Sequence, residues 1–318
     1  MGPRPCDADS LVRLDPADRR RARARRPPSG LPRGVRRSAG AHDLDHRLVR
    51  APATAKLNLA LVVGRPRDGK HELTTVYQRL DLADRVALAP ATRLRITGFR
   101  EDTLVRRALE ELAAAAGARP DWEARLTKQI PVAAGLGGGS SDAATALRLA
   151  NETLDEPLSA AELHALAAKL GADVPFFLTQ GPQLGEGYGT ELTPLNLPQD
   201  YWVVLVLPRD ANKHSSGAVY ADFDEREGPK GYRNRRAALK RALRETRRAS
   251  DLARLPPNDL ASSPLAGELS AQGAFRADVT GAGPVVYGLF RHLEAARAAR
   301  AALRGRGRTW LTAPAWYG

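Results

Sequence analysis

Pro131-Val-Ala-Ala-Gly135-Leu-Gly137-Gly-Gly-Ser140-Ser141-Asp142 runs straight into Ala143–Asn151, a stretch rich in good helix formers. Four of the five positions from Gly135 to Gly139 are glycine. Backbone without Cβ atoms can approach a ligand closely and turn several N–H groups the same way. A helix directly after it adds the positive end of its dipole and unpaired first-turn amides. Ser140 and Ser141 add hydroxyl donors or a metal contact. The segment reads as an anion site sized for a polyphosphate. Its candidate contacts are Pro131, Ala134, Gly135, Leu136, Gly137, Gly138, Gly139, Ser140 and Ser141. A flexible loop ending in a capping serine would not need so many glycines.

Two other glycine signals fail on context. Gly64-Arg-Pro-Arg-Asp-Gly69-Lys70-His71 nearly spells a P-loop, but His71 stands where a hydroxyl must reach Mg²⁺, and the residues beyond read as a strand, not a helix. A Pro/Asp/Gly turn between strands is the plainer account. No dinucleotide fingerprint survives either. Ser140 replaces the third glycine in Gly135-Leu-Gly137-Gly-Gly-Ser140, and Gly185-Glu-Gly187-Tyr-Gly189 precedes strand-like sequence.

The surrounding chain is globular in composition. Of 318 residues 43% are apolar and 27% charged, which excludes a wholly disordered chain or a fibre. No apolar run approaches the roughly 20 residues of a membrane helix. The net charge of +13 is uneven: residues 1–50 carry 13 arginines and six aspartates. Residues 1–47 have no sustained apolar period and are expected to be a disordered arginine-rich tail. Nucleic acid is an expected partner only through that tail, which lacks aromatics for base stacking. An export signal fits poorly, because no apolar core follows the basic part. The single cysteine, Cys6, forms no internal disulfide, and a reducing, cytoplasmic setting is expected.

Coarse periodicity gives strands at 56–63, 71–80, 84–88, 93–97 and 122–127, with a helix at 103–116. A Ser159/Glu162 capping box opens a helix to Leu170, stopped by Gly171. Beyond Pro198, WVVLVL at 202–207 reads as a buried strand opening a second domain. A basic helix at 235–248, strands at 274–279 and 285–290, and a helix at 292–303 follow. The mixed order indicates an α+β fold, divided as 1–47, 48–198 and 199–318.

Four segments, in order, carry a family resemblance. They are Ala55-Lys56-Leu57-Asn58-Leu59 with Gly64–Leu73, then Pro131–Ala144, then Leu170-Gly-Ala-Asp173-Val-Pro175-Phe-Phe177, then Val279-Thr-Gly281-Ala-Gly283-Pro284. Over residues 50–315 the chain resembles the GHMP kinase superfamily. The resemblance implies two α+β domains with the active site in the cleft between them. It also implies ATP and Mg²⁺ as cofactors, with metal ligands unassigned. Pairing AKLNL with DGKHEL and LGADVPFF implies phosphorylation of a sugar-alcohol hydroxyl on a cytidine diphosphate-linked small molecule; a monomer or homodimer is expected. Two alternatives stay open: a GHMP kinase for homoserine, mevalonate or a sugar, and a degenerate nucleotide-binding protein with an RNA-binding arm.

An alcohol is a poor nucleophile at neutral pH, so a carboxylate placed to take its proton helps the attack. By the resemblance that base is Asp173; by its residues alone, an Asp after a Gly stop is also an ordinary turn residue. Lys56 stands in an apolar strand, where a bare ammonium is costly. A pair with Asp173 would keep both charged, whereas an edge-strand lysine against aggregation is the alternative. Asn58 shares the strand face of Lys56 and is a candidate substrate contact. His71 matches the position that recognises the cytosine ring, although a histidine in a turn needs no such role. The family commonly has an aromatic before it; here Lys70 removes that stacking wall and offers a cation to a diphosphate. Gly281 and Gly283 are expected to support the phosphate loop. Asn258-Asp259-Leu260 also matches a family motif, with a structural or a functional role.

Overall fold

The apolar run at 56–63 forms the middle of a longer strand, β1 (Val49–Arg67), paired antiparallel with β2 (Lys70–Pro90). From Ala53 to Gly64 every β1 residue is buried, so both faces pack and the sequence shows no alternation. The near-P-loop is the turn between these strands. Asp68 (φ 51°) and Gly69 (φ 75°) take its two left-handed positions. The computed structural model describes residues 48–99, 104–211 and 215–315. The tail expected at 1–47 lies outside them.

The two strands expected at 71–80 and 84–88 are one. Thr54 faces Ala83 and Lys56 faces Arg79, so Leu80–Leu82 bulge opposite Ala55 without ending β2. Asp81 and Asp84 mimic a turn in the sequence but are used otherwise. The Asp81 amide donates to the Ala313 carbonyl, and the Asp84 carboxylate accepts the amides of Gln129 and Ile130.

β3 (Arg95–Thr97) runs parallel to β4 (Trp122–Thr127), which pairs antiparallel with β2. Between β3 and β4 lies α1 (Leu104–Ala115). α2 (Gly138–Asn151) and α3 (Ala160–Leu170) follow, and the capping box at Ser159 and Glu162 is present. Helix α2 begins five residues before the expected Ala143. Glycine and serine are poor helix formers, but the first turn is where low propensity matters least and free amides serve a ligand. Val105, Leu109 and Leu112 of α1 pack with Leu147 of α2 and Leu166 of α3 over Val86, Leu88 and Leu126. The hairpin β5 (Gln183–Glu186) and β6 (Glu191–Pro194) completes a sheet ordered β3-β4-β2-β5-β6, with β1 also on β2.

The second sheet begins with β7 (Trp202–Pro208). Then come α4 (Ser216–Glu225), α5 (Tyr232–Glu245), α6 (Pro264–Ala271), β8 (Arg276–Val279), β9 (Val286–Phe290), α7 (Leu293–Ala302) and β10 (Gly307–Thr312). Its order is β10-β7-β9-β8, antiparallel throughout. The basic helix α5 starts three residues earlier than expected, and α4, α6 and β10 were not anticipated. The fold is α+β. One core cluster joins Leu57, Leu59 and Val76 to Val203, Leu205, Leu239 and Tyr287, so packing runs across the expected boundary at Pro198. No helix among the described residues is long and apolar enough to cross a membrane.

Arg276 is the polar hub of the second sheet. Its buried guanidinium donates to Tyr287 Oη, to the carbonyls of Leu252, Leu255 and Pro256, and to Asp278. Tyr287 Oη in turn donates to the Leu59 carbonyl at 3.2 Å. Burial pushes Tyr287 and Tyr220 up to about 12, and raises Tyr77 and Tyr201 as well. In the unfolded chain these phenols ionise near pH 10. Below about pH 10 nothing is lost; above it the unfolded state binds fewer protons, so stability falls as pH rises. Tm is expected to drop steeply from about pH 10 to 11.5, less so in Tyr287→Phe. A flat Tm over that range would contradict these burials.

Candidate active site

Asp173 sits between Gly171, which caps α3, and a 3-10 turn at Pro175–Leu178. That turn is tied down by the buried Arg79, whose guanidinium donates to the carbonyls of Phe176 and Thr179 and to Thr54 Oγ1. Burial lowers Arg79 to about 10. Asp173 Oδ1 accepts a hydrogen bond from Tyr77 Oη at 3.0 Å, and Lys56 Nζ lies 3.4 Å from Oδ2. Burial, and next the Asp173 charge, hold the Tyr77 phenol protonated well above its ordinary value, so it acts as a donor.

Lys56 is only 3% exposed, which removes the alternative of a solvated edge lysine. Its ammonium also donates to Asn58 Oδ1 at 2.6 Å. Asn58 Nδ2 donates to Thr75 Oγ1, and the Asn58 amide donates to Thr280 Oγ1. Both ends of the Asn58 side chain thus hold bonds within the protein, and the residue still lines the same cavity as Lys56.

The glycine segment lies against this pair. Gly137 (φ 69°) is the N-cap of α2 and no side chain caps the helix. The helix start is thereby left open to an anion. Gly138, Gly139, Ser140 and Ser141 form its first turn. The Leu136 carbonyl accepts the Lys56 amide at 3.0 Å and the Ala134 carbonyl accepts the Val285 amide at 3.3 Å. These bonds fix the loop between β1 and the turn at Gly281–Gly283. Gly135 has φ 80°, and a Cβ there would collide with the Thr280 carbonyl. The Asn258-Asp259 motif braces the same turn. Asn258 Nδ2 donates to the Val279 and Gly281 carbonyls, while Asp259 Oδ2 accepts from the Val63 amide and Arg235.

A cavity of about 450 Å³ results. Lys56, Asp173, Gly135, Gly137 and Ser140 line it, with Gly281 and Gly283 opposite. The candidate phosphate contacts thus divide. Ala134 and Leu136 point into the core, and Ser141 is 1% exposed and off the cavity. Gly139 is exposed, while Pro131 and Gly138 are half-buried and off the lining.

A second cavity of about 900 Å³ adjoins the first, sharing Leu73, Ala172 and Tyr220. His71 stacks on Tyr220 with centroids 4.7 Å apart, and its Nε2 bonds Asp224 at 2.9 Å. Lys70 Nζ lies 6.0 Å from the centre of the Tyr188 ring. Lys70 itself offers no ring, but Tyr188 and Tyr220 bring aromatic surface to the same cavity from elsewhere in the chain.

Residues 103–181 match the GHMP kinases N terminal domain and residues 232–309 the GHMP kinases C terminal family. The chain is 41% identical over 263 residues to 4-diphosphocytidyl-2-C-methyl-D-erythritol kinase of Anaeromyxobacter sp. (strain Fw109-5), covering 78% of this chain and 84% of the relative. Against the enzyme of that name from Rhodococcus jostii (strain RHA1) it is 39% identical over 281 residues, covering 82% and 89%. The chain belongs to the GHMP kinases. A crystal structure of 4-(cytidine 5'-diphospho)-2C-methyl-D-erythritol kinase superposes with a TM-score of 0.69 at 32% identity, covering 84% of this chain and all of that one. A mevalonate kinase structure superposes with a TM-score of 0.65 at 13% identity, which speaks to fold alone.

In this GHMP kinase four residues at the site carry no functional signal in the sequence: Tyr77, Tyr188, Tyr220 and Asp224. Tyr77 passes for an ordinary β-strand aromatic. Tyr220 and Asp224 lie on α4, whose one legible signal is Ser215, the N-cap accepting the Ala218 amide.

Proposed function

We propose that this kinase transfers the γ-phosphoryl group of ATP to the 2-hydroxyl of 4-diphosphocytidyl-2-C-methyl-D-erythritol, in the non-mevalonate route to isoprenoids. The observation that carries this reading is the adjacency of the two cavities. One is lined by glycine backbone with a lysine–aspartate pair, and the other by aromatic rings, His71 and Lys70.

In this reading the amides around Gly135, Gly137 and Ser140 hold the triphosphate, aided by the dipole of α2. Asp173 takes the acceptor hydroxyl proton as that oxygen bonds to the γ-phosphorus and the bond to ADP breaks. Lys56 pairs with the Asp173 carboxylate and opposes charge developing at the acceptor oxygen. Asn58 orients Lys56. His71, Tyr188 and Tyr220 bind the base, and Lys70 answers the diphosphate. Gly281 and Gly283 back the phosphate loop.

Mg²⁺ fits this donor set: a hard cation takes oxygen ligands, and Ser140 offers one beside the nucleotide's own phosphate oxygens and water. When bound it neutralises charge on the β- and γ-phosphates. The halves assigned to 48–198 and 199–318 each supply one wall, the first Lys56, Asp173 and the glycine loop, the second Tyr220 and the Gly281–Gly283 turn.

ADP release is the measurement, with ATP and a panel of alcohols. Release that depends on the cytidine diphosphate ester is expected. Turnover of homoserine or mevalonate alone, or of no alcohol at all, would overturn the proposal.

A further inference from the structure

Behind the glycine loop lies a charged cluster with no part in the chemistry above. The carboxylates of Asp84 and Asp142 are fully buried, and Lys128 Nζ donates to Oδ2 of each. The other Asp84 oxygen accepts the amides of Gln129 and Ile130, the latter at 2.8 Å. The three side chains come from different places. Asp84 is on β2, Lys128 directly follows β4, and Asp142 is in the early part of α2. Residues 131–137 leave the cluster at Ile130 and return to it through the start of α2. Both ends of the loop are thus tied to one point on β2. Close approach is needed there: a Cβ on Gly138 would lie 3.1 Å from Ile130 Cγ2 and 3.4 Å from Asp84 Oδ2.

We propose that Lys128 is a positioning residue for the phosphate loop: by bridging Asp84 and Asp142 it fixes the two ends of residues 131–137 and so preorganises their amides for the nucleotide. This rests on the loop being the nucleotide site. Two buried carboxylates side by side repel each other and would repel a nearby triphosphate. The ammonium between them reverses the first effect and offsets the second. Burial works against the Lys128 charge, but Asp142 and Asp84 outweigh it and hold the ammonium above its ordinary value. A loop already held in its binding shape spends less binding energy on ordering.

The test compares wild type with Lys128→Met and with Lys128→Met/Asp142→Asn, which also removes the exposed repulsion. ADP affinity is measured by titration calorimetry, alongside the KM of the cytidine diphosphate ester. In the double variant ADP is expected to bind about tenfold or more weakly, with the ester KM within about twofold of wild type. Unchanged ADP affinity in that variant overturns the proposal. So does a parallel loss for ADP and ester, which would mark a general loosening. A wild-type protein that binds no ADP removes the loop reading itself, whereas wild-type binding kept in the double variant removes only the role of Lys128.

Discussion

Asp173→Asn lowers kcat by about a thousandfold and leaves the affinity for a non-hydrolysable ATP analogue within about twofold of wild type. Asparagine keeps the shape of the side chain and an oxygen for the Tyr77 hydroxyl, 3.0 Å away in the parent. It cannot accept the acceptor's proton. Its neutrality also strips Lys56 of its counter-charge, leaving the ammonium bonded to Asn58 Oδ1. A modest fall in Tm therefore accompanies the loss of rate. Nucleotide titration and steady-state kinetics on the same sample separate these effects. Analogue affinity falling in step with kcat would place Asp173 in nucleotide binding rather than proton transfer.

Gly135→Ala carries the second large effect. The residue holds φ 80°, a region costing an L side chain about 1–3 kcal/mol. Its new Cβ would also meet the Thr280 carbonyl, which is backbone and cannot swing aside. The loop must shift, and ADP affinity is expected to fall by more than about tenfold. Gly139→Ala is the matched control. That glycine lacks a positive φ, and nothing lies within 4 Å of an added Cβ. It is expected to bind ADP as the parent does. Equal behaviour of the two variants would mean that the loop does not take the conformation described.

What was legible in the sequence was whatever conflicted with its local surroundings. Lys56 in an apolar strand demanded a partner, and the structure brings Asp173 to 3.4 Å. The run of glycines before a helix marked the loop, although not that α2 starts at Gly138. Features made by distant pairing stayed hidden. Nothing local distinguishes Asp84 from a turn aspartate, because its partners are amides at 129 and 130. The His71–Asp224 contact joins residues far apart in the chain, through a helix with weak periodicity. The continuity of β2 was masked by a bulge, since a break in alternation looks the same as the end of a strand.

The cluster that joins Leu57 and Leu59 to Val203, Leu239 and Tyr287 has a mechanical consequence. Hinge bending needs a plane that few side chains cross, and here the interior passes through the place where such a plane would lie. Rocking the halves apart would break that packing. The lightly anchored part of the site is α4, which buries only Phe223 while carrying Tyr220 and Asp224 at the aromatic cavity.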